Sequence, residues 1–200
     1  MSKIAVFLDK DGTLIRNVPY NVDPSRIQLS QGAGAALRKI SELGSELVIV
    51  SNQSGVARGY FPEQDLRGVE DCLRSLVRQE AGVELAGFYY CPHHPDGSVA
   101  RYAVNCGCRK PQPGMLQRAA RELDIDLENS WMVGDILDDI EAGRRAGCRT
   151  ILINNGSETE WVLSPERQPH FIVSNLEEAA RTIISVMNYQ DANVFAILVE

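Results

Sequence analysis

Three short polar runs interrupt an otherwise apolar pattern, and each carries side chains suited to work on a phosphate. The first, Asp9-Lys10-Asp11-Gly12-Thr13, follows the apolar residues 4–8. Two carboxylates two residues apart raise each other's pKa and invite a cation between them. Mg2+ suits such oxygen ligands, and a carboxylate can itself attack phosphorus to form an aspartyl-phosphate. The second run, Ser51-Asn52-Gln53-Ser54-Gly55, follows residues 47–50. The third, Gly134-Asp135 with Asp138-Asp139, follows residues 131–133. Ser51 and Asn52 offer hydroxyl and amide donors, Thr13 another, and Gly12 a close backbone approach. Lys110 adds a positive charge on a flexible stem. Singly, Asp9 or Asp135 reads as a turn cap, Ser51 as a turn residue and Lys110 as a solvated surface charge. Asp9, Asp11 and Asp135 together read as a functional acidic cluster.

A second constellation is made of sulfur. Cys91-Pro92-His93-His94-Pro95 and Asn105-Cys106-Gly107-Cys108-Arg109-Lys110 give C-x-H, twelve residues, then C-x-C. Three thiolates and one imidazole close a tetrahedral Zn2+ site with no open position, which makes it structural. His94 is an alternative to His93 as the imidazole ligand. The loop ends just before Arg109 and Lys110, so zinc is expected to fix the segment that delivers both. Cys72 and Cys148 read as small core residues.

The elements that must position these groups alternate. Residues 4–8, 47–50, 88–90, 131–133, 150–153 and 171–173 read as strands. Amphipathic helices are expected over 33–43, around Leu66–Val77, after Pro113 and over 138–146. A last helix carries Leu176, Ala179, Ala180, Ile183, Ile184 and Met187 on one face, with a Ser174/Glu177 capping box. Such alternation predicts an α/β, three-layer, Rossmann-like fold with a mostly parallel sheet. In these sheets ligands bind beyond the carboxyl ends of the strands, where the polar runs lie. One domain is expected over residues 1–188, with a zinc-loop insertion at 91–108. Residues 189–200 form a tail whose apolar 194–199 suits an edge strand or a packing tail. Only one helix fits between Asp11 and Ser51, and only one helix and the zinc loop between Ser51 and Lys110. That leaves no room for a cap domain.

The chain has 200 residues, 44% apolar and 24% charged, with a net charge of −7. This composition excludes a disordered chain or a coiled-coil rod. The acidic balance lacks the basic footprint of a nucleic-acid or anionic-membrane binder. No run approaches the ~20 apolar residues of a membrane helix. A cytoplasmic protein without nucleic-acid or membrane partners is the expectation.

Phe7-Leu8-Asp9-Lys10-Asp11-Gly12-Thr13-Leu14, Ser51-Asn52, Arg109-Lys110-Pro111 and Gly134-Asp135 with Asp138-Asp139 resemble, in order, the four motifs of haloacid dehalogenase superfamily phosphatases. The resemblance covers roughly residues 3–155. It implies Asp9 as nucleophile and Asp11 as general acid and base. Mg2+ would be held by Asp9, Asp135 and the backbone carbonyl of Asp11, while Ser51 and Lys110 hold the phosphoryl oxygens.

The zinc loop and Asn52-Gln53-Ser54-Gly55-Val56-Ala57-Arg58-Gly59 resemble the heptose bisphosphate phosphatase branch. Histidinol-phosphate phosphatases share the metal pairs with a shorter spacer. The branch implies a monomeric enzyme for a small phosphorylated sugar, with Gly12, Tyr20, Asn52, Gln53, Arg109 and Lys110 around the substrate. Two positions depart from it. Ile136 stands where the branch carries Lys or Arg, and residues 16–21 differ around the retained Tyr20. Arg16 and Arg58 are the cations available to compensate. Other readings are a different small phosphomonoester as substrate, or a silent binding module on the same fold.

Overall fold

The computed structural model describes residues 2–197. Six strands, β1 (Ala5–Leu8), β2 (Glu46–Asn52), β3 (Gly87–Cys91), β4 (Trp131–Gly134), β5 (Arg149–Ile153) and β6 (Phe171–Val173), pair in the order β3-β2-β1-β4-β5-β6. Every pairing is parallel. The helices are α1 (Ala33–Ser41), α2 (Leu66–Ala81), α3 (Gly114–Leu123), α4 (Leu137–Ala146) and α5 (Leu176–Ile197).

Why these segments make three layers is visible in β1, whose four residues are all fully buried. Side chains alternate across a strand. Val6 and Leu8 pack with Leu37 and Ile40 of α1, Val69 and Leu73 of α2 and Ala179 and Ile183 of α5. Ala5 and Phe7 pack on the opposite face with Met115 and Ala119 of α3 and Ala142 of α4. A strand buried on both faces has no polar positions to spare, which is why its sequence is continuously apolar. Cys148 is buried in the α3–α4 layer, and Cys72 packs partly buried against the other.

Three boundaries differ from the sequence reading. β2 continues through Ser51 and Asn52, so these donors end a strand instead of opening a loop. The cap of α5 sits one residue later than the Ser174/Glu177 spacing predicts. The Glu178 N–H donates to Asn175 Oδ1 (3.0 Å), and Glu178 Oε2 accepts from the Ser174 N–H (2.8 Å). Glu177 instead packs over Gly32 (φ +76°), where a Cβ would lie 2.6 Å from its carboxylate. Finally, α5 runs to Ile197, across the expected 188/189 boundary. Residues 194–197 are therefore helical and not an edge strand, and 198–200 lie outside the described residues. Among the described residues no helix is long and apolar enough to cross a membrane.

The approach of α4 to the sheet depends on one glycine. A Cβ at Gly143 would lie 2.6 Å from Met132 Cβ and 2.7 Å from Thr150 Cγ2. In an isolated helix Gly143→Ala would gain about 1 kcal/mol. Here overpacking outweighs that gain, and the variant is expected to lose about 1–2 kcal/mol in urea unfolding. An unchanged or raised midpoint would show that α4 can slide.

Candidate active site

The functional groups collect at the carboxyl ends of β1, β2 and β4. The crossovers from β1 and β4 go to opposite sides of the sheet, the switch point where such folds bind ligands. Asp9 follows β1, and its N–H continues the ladder by donating to the Val133 carbonyl (2.9 Å). Asp135 follows β4, and α4 starts two residues later, placing Asp139 in its first turn. Lys110 reaches in from the loop after β3. Its Nζ donates to Asp9 Oδ1, pairs with Asp139 Oδ1 at 2.6 Å and donates to the Val50 carbonyl at 2.9 Å.

This core is charged and largely closed to solvent. Asp9, Lys110, Asp135 and Asp139 are all buried. Burial alone would lower Lys110, but Asp139 and Asp9 more than reverse it and hold it above its ordinary value. Burial, with Asp9 beside it, pushes Asp135 up to about 6. Burial also raises Asp139, against the pull of Lys110. Carboxylate oxygens of Asp9, Asp135 and Asp139 lie within 4.8 Å of one another. Three converging carboxylates exceed what one ammonium can neutralise, so the donor set fits a hard divalent cation.

Asp11 is placed differently. Its Oδ2 pairs with Lys10 Nζ at 3.1 Å, and Gln53 Nε2 lies 3.4 Å away. Burial raises its pKa, with Lys10 opposing. The two aspartates of one tripeptide therefore face different partners.

Gly12 permits this geometry. Its φ is +88°, and a Cβ there would lie 2.0 Å from Asp135 Oδ2. Thr13 Oγ1 donates to Asp135 Oδ1 (3.1 Å), and Asn155 Nδ2 donates to the Gly12 carbonyl (2.8 Å). Gln53 also donates to Ser51 Oγ (2.8 Å). Asn52 uses its amide on the Lys110 backbone. Its Oδ1 accepts from the Lys110 N–H, and its Nδ2 donates to the Lys110 carbonyl, both at 3.0 Å.

Two adjoining cavities of about 190 and 240 Å³ share Asp11, Asn17 and Asn52. The first holds Asp9, Ser51, Lys110, Asp135, Ile136 and Ser157, the second Lys10, Tyr20 and Gln53. Tyr20 is half exposed and stacks edge-on against Tyr60 at 4.7 Å. The structure thus brings Asp9, Asp11, Ser51, Asn52, Lys110 and Asp135 to one cavity, with Tyr20 and Gln53 in the adjoining one, while Arg109 lines a separate cavity that shares Lys110. Sequence reasoning left Lys10, Asn155 and Ser157 unassigned and gave Asp139 no separate role. For Asp139 the signal was its spacing, four residues after Asp135 at a helix start.

The sulfur cluster also converges. Cys91 Sγ lies 3.0 Å from Cys108 Sγ and 3.5 Å from Cys106 Sγ, and His93 Nδ1 lies 3.4 Å from Cys108 Sγ. Contact with Cys91 drives Cys108 well below the ordinary thiol range. The Arg109 N–H points at Cys106 Sγ (3.4 Å). His94 is not part of the cluster: its ring meets Arg58 Nη2 at 3.1 Å. Three sulfurs and one imidazole nitrogen aimed at a common point suit zinc.

A buried carboxylate after the first strand, a lysine and further acids at neighbouring strand ends, and this strand order define a haloacid dehalogenase-like phosphatase. Residues 107–179 match the HAD-hydrolase-like family model. The D-glycero-beta-D-manno-heptose-1,7-bisphosphate 7-phosphatase of Haemophilus ducreyi is 44% identical over 78% of this chain and 86% of its own. The D-glycero-alpha-D-manno-heptose-1,7-bisphosphate 7-phosphatase of Photorhabdus laumondii is 39% identical over 79% of this chain and 87% of its own. The crystal structure of D,D-heptose 1,7-bisphosphate phosphatase from B. bronchiseptica, complexed with magnesium and phosphate, superposes with a TM-score of 0.73. It is 29% identical and covers 91% of this chain and 98% of its own. The chain belongs to the D-glycero-D-manno-heptose-1,7-bisphosphate 7-phosphatase family.

Asp135 gives a test that separates stability from function. Its ordinary value of 3.8 is raised to about 6 in the fold. Ionising it therefore costs stability, which falls as pH rises through that window and stays reduced above it. Without added divalent cation, Asp135→Asn is expected to be more stable than wild type at pH 7 by about 2 kcal/mol. The difference should vanish near pH 4, and Mg2+ should stabilise wild type only. Urea unfolding at both pH values measures it; a variant weaker than wild type at pH 7 contradicts it.

Proposed function

We propose that this protein hydrolyses the 7-phosphate of D-glycero-D-manno-heptose 1,7-bisphosphate through an aspartyl-phosphate on Asp9. The observation that carries the mechanism is the divergence of the two motif aspartates. Asp9 points into the lysine–carboxylate cluster, and Asp11 is held away from it by Lys10 and Gln53. One is placed to attack and the other to move a proton.

Asp9 attacks phosphorus, and the bond from phosphorus to the sugar oxygen breaks. Asp11, whose raised pKa favours the acid form, gives its proton to that oxygen. The resulting Asp11 carboxylate then takes a proton from the water that attacks the aspartyl-phosphate, freeing Asp9 and inorganic phosphate. Lys110 and Ser51 hold the phosphoryl oxygens while charge redistributes over them. Asp9, Asp135 and the backbone carbonyl of Asp11 would hold Mg2+, with Asp139 adjoining. When bound, the ion neutralises the gathered carboxylates and the phosphoryl oxygens. Tyr20, Asn52, Gln53 and the Gly12 backbone form the wall around the sugar, and Arg109 faces its remaining phosphate. Cys91, His93, Cys106 and Cys108 would hold a structural Zn2+.

Phosphate release from both anomers of the heptose bisphosphate, histidinol phosphate and fructose 1,6-bisphosphate, each with Mg2+, tests the reading. One heptose anomer is expected to lead by orders of magnitude in kcat/KM, and Asp9→Asn to lose at least about 10³-fold. Equal rates on all four esters would refute the heptose assignment, and turnover by Asp9→Asn would refute the nucleophile.

Zinc acts at a distance in this account. Cys106→Ser is expected to lose zinc by elemental analysis and to reduce kcat about 10-fold or more. An unchanged kcat in the zinc-free variant would show that the loop positions Lys110 without metal.

A further inference from the structure

Two large aromatic side chains are left exposed on loops that leave neighbouring strands, Tyr20 after β1 and Tyr60 after β2. They meet each other. Their ring centroids lie 4.7 Å apart with the planes at 79°, the edge-to-face arrangement that the ring quadrupole favours. The contact ties the loop of residues 16–21 to the turn of residues 53–60. The two sides of this tie are not equally secure.

Tyr20 sits in strained backbone. The Asn21 N–H donates to the Val18 carbonyl at 3.2 Å and closes a turn with Pro19 and Tyr20 at its centre. Proline suits the first central position of such a turn, and a positive φ at the second normally falls to glycine or asparagine. Tyr20 holds φ +56° there, which is unfavourable for a bulky side chain. Strain of this kind persists only where the surroundings over-determine the conformation. Tyr60 is carried on a stiffer segment. Its N–H donates to the Gly55 carbonyl at 2.9 Å, and the next residue, Phe61, is buried with Val56 and Leu66. The Phe61 ring closes over Gly55, where a Cβ would lie 2.3 Å from it.

Tyr20 lines the cavity of about 240 Å³ together with Lys10, Asp11, Asn52 and Gln53, and Tyr60 lies outside it. We propose that Tyr60 is a positioning residue for the sugar end of the substrate: its ring holds Tyr20 in the left-handed turn and so keeps the Tyr20 side chain on the cavity wall. The proposal deepens the reading of the site given above and rests on it. Without the Tyr60 ring the strained turn relaxes and Tyr20 leaves the wall. The sugar then loses a contact face, while Asp9, Ser51 and Lys110 keep their geometry on the strand ends. Tyr60 therefore acts on binding, through Tyr20, and takes no part in bond breaking.

The experiment follows phosphate release from the preferred heptose bisphosphate anomer and from acetyl phosphate, which has no sugar to place, with zinc and Mg2+ bound. Tyr60 is 60% exposed, so Tyr60→Ala opens no hole in the core. It is expected to raise KM for the heptose ester about 3- to 10-fold, the range that an edge-on aromatic pair spans. Its kcat and its turnover of acetyl phosphate are expected to stay within about 2-fold of wild type. Tyr60→Phe keeps the ring and is expected to match wild type, because the Tyr60 hydroxyl has no partner among the described residues. In the Tyr20→Ala background, Tyr60→Ala is expected to add nothing, since the two residues act as a unit. An unchanged KM in Tyr60→Ala, a loss that falls on kcat, a loss that Tyr60→Phe shares, or one that persists without Tyr20 overturns the positioning role. Wild type that releases no phosphate from the heptose ester overturns the substrate reading instead. Calorimetric binding of the heptose bisphosphate to the Asp9→Asn protein then judges Tyr60: a Kd raised by Tyr60→Ala supports the role, and binding that is unchanged or absent overturns it.

Discussion

Three buried carboxylates share one buried ammonium. Left to themselves Asp9, Asp135 and Asp139 would separate, because gathering like charges away from water is unfavourable. The sheet forces them together. β1 and β4 are hydrogen-bonded neighbours, and the first turn of α4 follows at once. Two of the carboxylates are thus carried on strand ends with fully buried cores, and the third on a helix packed against them. The apolar layers hold this arrangement because moving any one acid means unpacking a strand. Gly12 and Gly134 remove the side chains that would otherwise fill the space, a Cβ at Gly134 lying 2.3 Å from Asp139.

The near end of α4 shows how completely the protein supplies its own partners there. The Ile136 N–H is taken by Asp139 Oδ2 at 3.3 Å, and the Leu137 N–H by Glu158 Oε2 at 2.6 Å. A helix start beside a phosphate site commonly offers free N–H groups to an anion. Here that edge of the cleft carries an apolar side chain and a carboxylate. The cationic wall lies on the other loops, so the cleft has an electrical direction.

The strands and the acidic cluster were legible because both leave local marks. Residues 4–8 can only be so apolar if buried on both faces, and Asp9 and Asp11 break that run abruptly. The sulfur cluster was legible from residue type and spacing, which left His93 and His94 both open as its imidazole. What escaped depends on side-chain direction. Lys10 has no role of its own in the sequence, and its ammonium is buried against Asp11. Asn155 and Ser157 sit in a segment without periodicity, where nothing in the spacing marks a contact with Gly12, 143 residues away. The cap of α5 moved by one residue because Asn175 and Ser174 are both good capping residues. Which one serves depends on the helix's docking, through Glu177 over Gly32. The length of α5 was hidden because residues 194–199 are apolar without a clear period.

The Asn52 side chain has an implication of its own. A primary amide presents the same donor and acceptor pair as a peptide group, and here it meets both backbone groups of Lys110 as a neighbouring strand would. Lys110 is in effect one more rung on the ladder of β2, although eighteen residues of loop separate it from Cys91 at the end of β3. Its ammonium inherits the rigidity of the sheet instead of the wander of a loop. The clamp and the Cys91–His93–Cys106–Cys108 cluster hold the two ends of this loop, so only the residues of its middle, 95–104, are free of both. They can lengthen, shorten or change composition, and so reshape the wall of the cleft, while the Lys110 ammonium stays against Asp9 and Asp139.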